Sequence, residues 1–291
     1  MRKISVSCGG IVEVEDGRPY TTGKARPREQ AKICVDVQCV QCSCDTALLN
    51  SRYLLSEGAD TWVFGDAVSA IDRALEMAFS VMVDRESALV TVGIPGRYIS
   101  DDLAAESVTL TFTAHLDIVE NGKSVFEFTP KEKLAIGIKF KNLGSGLYRE
   151  GSVSKQLSAA VMFRNAVRWL SMISPDEAKD VLAEIGAIKC QCYNNLALFH
   201  LHQCHYKLSI AAATTVLMAD AANVKALYRR AVANTAIQNY ETAIDDIEAA
   251  LVIDPSNAAV KKQYELVRRK QRAVAVKYAT AMKKFFHLKN P

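Results

Sequence analysis

The sequence predicts two folds in one chain: an α+β domain, with an antiparallel sheet wrapped on one helix, followed by an all-α superhelix. Three observations predict it. Apolar and polar residues alternate in three segments of the first 126 positions, as half-buried strands require. From Glu132 to the end, apolar residues recur at helical spacing with few breaks. Charge is also divided unevenly: residues 1–126 hold 12 Lys/Arg against 18 Asp/Glu and residues 127–291 hold 24 against 14, about −6 and +10. Such asymmetry suits two domains, the basic one meeting an acidic partner. At 291 residues and 49% hydrophobic, the chain has enough material for about two ordinary globular domains.

The strands are expected at 33–40 (Ile-Cys-Val-Asp-Val-Gln-Cys-Val), 88–94 and 107–114. Between the first two lies 66–82, where Val68, Ile71, Leu75, Ala78 and Met82 fall on one helical face and Asp66 is placed to cap the first turn. The turn dipeptide Asn121-Gly122 closes this domain, taken as 1–126. Thr129-Pro130-Lys131-Glu132 then offers an N-cap, a proline at the first helical position and a glutamate three residues past the cap, so a helical domain, 127–291, starts there.

The helices repeat every 34 residues, the period of a tetratricopeptide helix pair. The clearest copy is 224–257, with Ala231, Tyr240, Ala243, Ile247, Ala250 and Pro255 at its small, aromatic and proline positions. Stepping back 34 residues from Ala231 gives Ala197, in a copy spanning 190–223; an earlier copy, with Gly144 in this role, spans about 137–171. Small residues at these places let paired helices approach closely. A basic helix, 258–288, carrying Arg268-Arg269-Lys270 and Lys283-Lys284, is expected to extend the superhelix as a solvated cap.

Several functions are excluded by what the sequence lacks. Apolar runs are broken before the ~18 residues that span a bilayer, and Met1-Arg2-Lys3-Ile4-Ser5 has no apolar signal core behind it, which predicts a cytoplasmic or nuclear protein without a membrane partner. The cysteines at 8, 34, 39, 42, 44, 190, 192 and 204 are then expected as reduced thiols. Cys39-Val40-Gln41-Cys42-Ser43-Cys44 has a zinc-like Cys-x2-Cys spacing, but no second pair or paired histidines lie nearby, so small buried thiols are the ordinary reading. No metal or cofactor is expected. Basic residues are spread along helices without interleaved aromatics, which argues against nucleic acid. No Ser-His-Asp or Cys-His arrangement or phosphate loop is visible.

Lys131-Glu132-Lys133-Leu134, Leu147-Tyr148-Arg149-Glu150-Gly151, Trp169-Leu170, Asn195-Leu196-Ala197 and Leu227-Tyr228-Arg229-Arg230 resemble, in order and spacing, the tetratricopeptide half of the large FK506-binding immunophilins and the aryl-hydrocarbon-receptor-interacting protein group. The resemblance implies a divergent FK506-binding-type isomerase domain before three repeats and a C-terminal helix. It implies a carboxylate clamp for the terminal Glu-Glu-Val-Asp of a heat-shock chaperone, the 90-kDa class ahead of the 70-kDa class. Its positions are filled by Lys141, Asn195, Lys225 and Arg229, with Ser145 where many relatives place asparagine. Lys225 and Arg229 stand four apart, so both cations share a helix face. Converging cations and an amide give a terminal aspartate charge-assisted hydrogen bonds that a neutral end cannot make. Arg230 and Lys189 are read as surface charges.

The same resemblance places the isomerase pocket at Val37, Leu49, Asn50, Leu75, Tyr98 and Phe112, with Leu75 where the family has a floor tryptophan and Leu49-Asn50 where it has phenylalanine-aspartate. Losing the floor aromatic and the carboxylate removes a large contact and a charged hydrogen-bond partner. The expected function is therefore a co-chaperone adaptor with little isomerase activity; the alternative is an active prolyl isomerase delivered to chaperone clients by the same groove.

Overall fold

The computed structural model describes residues 2–7, 12–15, 24–44, 49, 51–54, 60–103, 107–176 and 179–289, without the side chains of 39, 40, 284 and 286–289. It divides into two compact units, Met1–Met162 and Phe163–Pro291.

The first unit is built on six strands: β1 (Arg2–Val6), β2 (Val12–Glu15), β3 (Lys32–Cys42), β4 (Thr61–Val63), β5 (Glu86–Pro95) and β6 (Ser107–Glu120), in the spatial order β2-β1-β5-β6-β3-β4. The three strands read from alternation are neighbours and pair antiparallel, with Val90 opposite Phe112 and Val35 opposite Leu116. The sheet as a whole is mixed, because β1 runs parallel to β5, setting Ile4 beside Val90. One face buries Ile4, Ile33, Val35, Ala88, Val90, Val92, Leu110, Phe112 and Leu116 against a single helix, α1 (Ala70–Phe79), which contributes Ile71, Leu75, Ala78 and Phe79. Each such aliphatic or aromatic side chain taken from water is worth roughly 1.5–3 kcal/mol, so this face sets the register of the whole sheet.

The cap of α1 is Ser69, whose hydroxyl accepts from the Asp72 N–H at 3.0 Å, and not Asp66. Asp66 follows Gly65, which holds φ +91, and stays outside the helix, where its carboxylate takes Gln30 Nε2 at 3.0 Å and pairs with Lys139. Asp66 and Ser69 are both capping residues, and the turn after β4 decides between them.

Two helices follow. α2 (Pro130–Glu150) opens on the expected capping box, in which Thr129 accepts from the Glu132 N–H and Glu132 reaches back to the Thr129 N–H, and it closes on left-handed Gly151. α3 (Val153–Ser171) starts under a carboxylate borrowed from the sheet domain: Asp101 accepts from the backbone N–H groups of Val153 and Ser154 at 3.3 and 3.2 Å.

Beyond α3, the second unit holds α4 (Leu182–His202), α5 (Tyr206–Ala219), α6 (Val224–Ala236), α7 (Tyr240–Ile253) and α8 (Ala258–Lys289). The pair α4/α5 begins at Leu182, ahead of the position 190 suggested by the repeat. Ala197 and Ala231 are both fully buried, as the repeat requires of its small positions. The turns inside the two pairs also repeat at 34 residues, with Cys204 and Gln238 in left-handed conformations at φ 57 and 66. Leu227, Ala231, Ala243, Ile247, Ala250, Val260 and Val267 form the core joining α6, α7 and α8. Among the described residues no helix is long and apolar enough to cross a membrane.

Candidate functional site

The second unit carries three of the five clamp candidates. Lys225 and Arg229 stand one turn apart on α6, Lys225 exposed and Arg229 half-buried. Arg229 is oriented by the neighbouring helix: its guanidinium donates to the backbone carbonyl of Asn194 at 2.8 Å and to Asn194 Oδ1 at 3.1 Å. Asn194 in turn donates through Nδ2 to Asn223 Oδ1 at 3.3 Å, and that same oxygen caps α6 by accepting from the Ala226 N–H at 3.1 Å. A buried asparagine on α4, itself tied to the cap of α6, thus orients one cation; Asn195, the next residue of α4, is half-buried. Asn194 is the residue that the repeat pattern misses. Its signal in the sequence is only the Asn194-Asn195 doublet, and it lies on the side of α4 that meets α6.

The other two candidates lie on α2 in the first unit. Lys141 and Ser145 are half-buried and four residues apart, and Ser145 Oγ donates to the Lys141 carbonyl at 2.9 Å. The serine hydroxyl proton is thereby spent on its own helix, leaving the oxygen as an acceptor.

Arg230 is not a surface charge. Its Nε and Nη2 donate to the Asp246 carboxylate at 2.9 and 2.6 Å, and Nη1 reaches Thr214 Oγ1 at 3.3 Å. The Asp246 side chain is 4% exposed, and this pairing raises the arginine pKa. Lys189 is half-buried, and burial lowers its pKa. On the basic helix α8, Lys262, Arg268, Arg269 and Arg272 line a cleft of about 890 Å³ beside Tyr228. Arg268 is held there by Tyr264 Oη at 2.9 Å and by Glu248 at 3.5 Å.

The sheet domain has its own cleft of about 500 Å³, walled in part by Arg52, Trp62, Asp66, Ile71, Asp72 and Tyr98. Of the predicted pocket residues that are described, only Tyr98 lines it. Leu75 and Phe112 are fully enclosed in the core, Leu49 is buried, Val37 is partly buried against the same core, and Asn50 lies outside the described residues. The start of α1 at Ala70 puts Ile71 and Asp72 on the cleft and turns Leu75, one turn later, toward the sheet. Asp72 accepts from Ser51 Oγ at 2.6 Å and from the Arg52 N–H at 3.1 Å.

Behind it, Arg52 stacks over the Tyr53 and Trp62 rings at 4.7 and 5.4 Å and binds Glu76 at 2.5 Å, while Tyr53 Oη donates to Glu76 at 2.9 Å. Burial pushes the Glu76 carboxyl up to about 7, against the opposing pull of Arg52, of the Tyr53 hydroxyl and of the Gly65 and Ala67 amides. The cleft thus joins an apolar wall of Trp62, Val68, Ile71, Tyr98 and Ile99 to a hydrogen-bonded carboxylate, Asp72, and the Arg52 guanidinium.

Residues 18–121 match the family model described as BDBT FKBP-like N-terminal. The Peptidyl-prolyl cis-trans isomerase FKBP4 of Rattus norvegicus is 28% identical over 163 residues, 56% of this chain and 35% of that protein. The chain thus spans about a third of the length of the curated relatives it matches. Among solved structures, the C-terminal tetratricopeptide domain of a Plasmodium falciparum putative FK506-binding protein aligns at TM-score 0.49 and 26% identity, covering 52% of this chain and 99% of that one. The C. elegans myosin chaperone UNC-45, solved in complex with a Hsp90 peptide, aligns at TM-score 0.39 and 20% identity, covering 47% of this chain and 14% of that one. The chain carries an FKBP-like domain followed by tetratricopeptide repeats.

Proposed function

We propose that this protein is a co-chaperone adaptor, whose repeats bind the acidic carboxyl-terminal Glu-Glu-Val-Asp tail of a heat-shock chaperone in the cytoplasm or nucleus, the 90-kDa class ahead of the 70-kDa class. In this reading 1–126 is the isomerase-like domain presented to a client and 127–291 is the docking array. The observation that carries it is the arrangement on α4 and α6: Lys225 exposed, and Arg229 one turn away and held by Asn194. The Asn194 carbonyl and side-chain oxygens that orient Arg229 carry no charge. A terminal aspartate offers two carboxylates to this arginine. Lys141 and Ser145, on α2, are the remaining residues that the resemblance assigns to a clamp.

The sheet domain supports an adaptor over an isomerase, because Leu75 and Phe112, which the resemblance places in the pocket, are enclosed in the core. Prolyl isomerisation needs an open apolar site that strips water from the X-Pro amide.

Calorimetric titration with a peptide ending in Met-Glu-Glu-Val-Asp, with its C-terminally amidated twin and with Lys225→Ala, Arg229→Ala and Lys141→Ala, tests the docking. Each substitution should cost roughly 1.5–3 kcal/mol, about ten- to a hundredfold in affinity, and amidation should abolish binding. Equal binding of acid and amide would overturn the clamp. Turnover of an X-Pro peptide at the rate of an active isomerase would establish the alternative, a chaperone-targeted enzyme.

A further inference from the structure

We propose that Cys42 and Cys44 form a redox-active dithiol, a site that closes reversibly to a disulfide by exchange with a small disulfide of the glutathione class, because the structure brings their sulfurs into contact at the end of β3. On an extended strand, residues two apart share a face but stand ~7 Å apart. Here the chain bends at Ser43 and Cys44, and the two Sγ atoms lie 3.3 Å from one another. A disulfide needs about 2.05 Å, so closure asks for roughly 1.2 Å of sulfur approach.

The backbone around the pair is pinned. Ser43 N–H donates to the Thr109 carbonyl at 3.1 Å, and Thr109 N–H donates to Ser43 Oγ at 2.9 Å, so the middle residue is anchored to β6 while the thiols flank it. Both cysteines are half-buried and pack against the core, so part of each remains exposed to solvent.

Their roles differ. Cys42 Sγ accepts the Cys44 backbone N–H at 3.3 Å, and between the two thiols either can donate to the other. In the proposal Cys42, at the end of the paired strand, is the attacking sulfur and Cys44, beyond the bend, is the resolving one. The Cys42 thiol gives its proton to solvent and the thiolate attacks one sulfur of the small disulfide RS–SR, forming a mixed disulfide and expelling RS⁻. Cys44 then loses its proton and attacks Cys42 Sγ, forming the intramolecular bond and expelling the second RS⁻. In sum, two protein thiols are oxidised, one small disulfide is reduced, and the two released thiolates take up the two protons. A disulfide spanning one residue closes a small ring, and exposed, strained bridges are the easily reversed ones.

The reduced pair should also chelate a thiophilic arsenical. Phenylarsine oxide takes two thiols and releases water, a reaction that a single thiol cannot complete.

The test uses the full chain equilibrated in glutathione buffers of increasing disulfide content, quenched in acid, alkylated and mapped by mass spectrometry. The peptide carrying Cys42 and Cys44 should lose two hydrogens, escape alkylation at both sulfurs and recover fully with dithiothreitol. Cys44→Ser should stop at a glutathione adduct on Cys42, Cys42→Ser should give no closure, and Cys39→Ser should close as wild type does. One equivalent of phenylarsine oxide should be retained by the wild type and lost from Cys44→Ser. Alkylation of both cysteines in oxidising buffer, or a bridge from Cys39 that persists in Cys44→Ser, would overturn the proposal, and the wild-type map alone decides this should a variant fail to fold.

Discussion

Arg229 and Arg230 are adjacent on α6 but do different work, and replacing them one at a time separates binding from folding. Arg230 grips a carboxylate whose side chain is 4% exposed, through hydrogen bonds of 2.6, 2.9 and 3.2 Å. Arg230→Ala leaves that anion desolvated without its counter-charge. Removing one side of a buried pair costs about 3–5 kcal/mol, and because the arginine side chain is itself 23% exposed, water can reach the gap and about 3 kcal/mol is expected. Arg229 bonds to an asparagine, which is neutral and finds water when the arginine is gone, so Arg229→Ala should cost about 1 kcal/mol of stability.

For the acidic peptide the order reverses. Arg229→Ala should weaken binding ten- to a hundredfold, by roughly 1.5–3 kcal/mol, whereas Arg230→Ala, titrated where it remains folded, should bind within about threefold of wild type. Urea unfolding followed by circular dichroism gives the first quantity, since about 3 kcal/mol lowers the midpoint by about 1–3 M at ordinary slopes. Calorimetry gives the second. The double variant Arg230→Met/Asp246→Leu should regain most of the lost stability, because it removes the stranded charge along with its partner. If Arg230→Ala loses less than about 1 kcal/mol, or Arg229→Ala destabilises as much, the assignment of the two arginines is wrong.

Three more outcomes are expected. Asn194→Ala should lower affinity for the acidic peptide by about three- to tenfold, although Asn194 acts only through Arg229; unchanged titration curves would mean that Arg229 orients itself. Glu76 is a carboxyl raised from 4.5 to about 7, so the native state keeps a proton that the unfolded chain has released. Stability from this group is fully present below about pH 4.5, is lost as pH rises through about 7 and is level above it, a span of about 3 kcal/mol relative to Glu76→Gln in urea unfolding between pH 4.5 and 8. A difference that stays flat, or grows with pH, would contradict the burial argument. Gln238, exposed at φ 66, is in a conformation that costs an L residue about 1 kcal/mol, so Gln238→Gly should raise the unfolding midpoint by about 0.5–1 kcal/mol of stability, and a loss would show that its side chain has a role in the turn.

What the sequence by itself determined is what repeats at short range. The strands β3, β5 and β6 are legible because burying one face forces a period of two, and Thr129-Pro130-Lys131-Glu132 starts α2 because a helix N-terminus must find acceptors for its own first amides. The helix pairs are legible because close packing demands small residues such as Ala197 and Ala231 at a fixed interval. Only the tertiary structure decided the parallel pairing of β1 with β5, the choice of Ser69 over Asp66 as the cap of α1, and with it the turn of Leu75 into the core and of Asp72 onto the cleft. It also decided that Arg230 belongs to Asp246 and Arg229 to Asn194, and that Cys42 meets Cys44 across a bend. Spacing states which face of an element a side chain occupies. Its partner depends on which element lies against that face, and that contact is made between residues far apart in the chain.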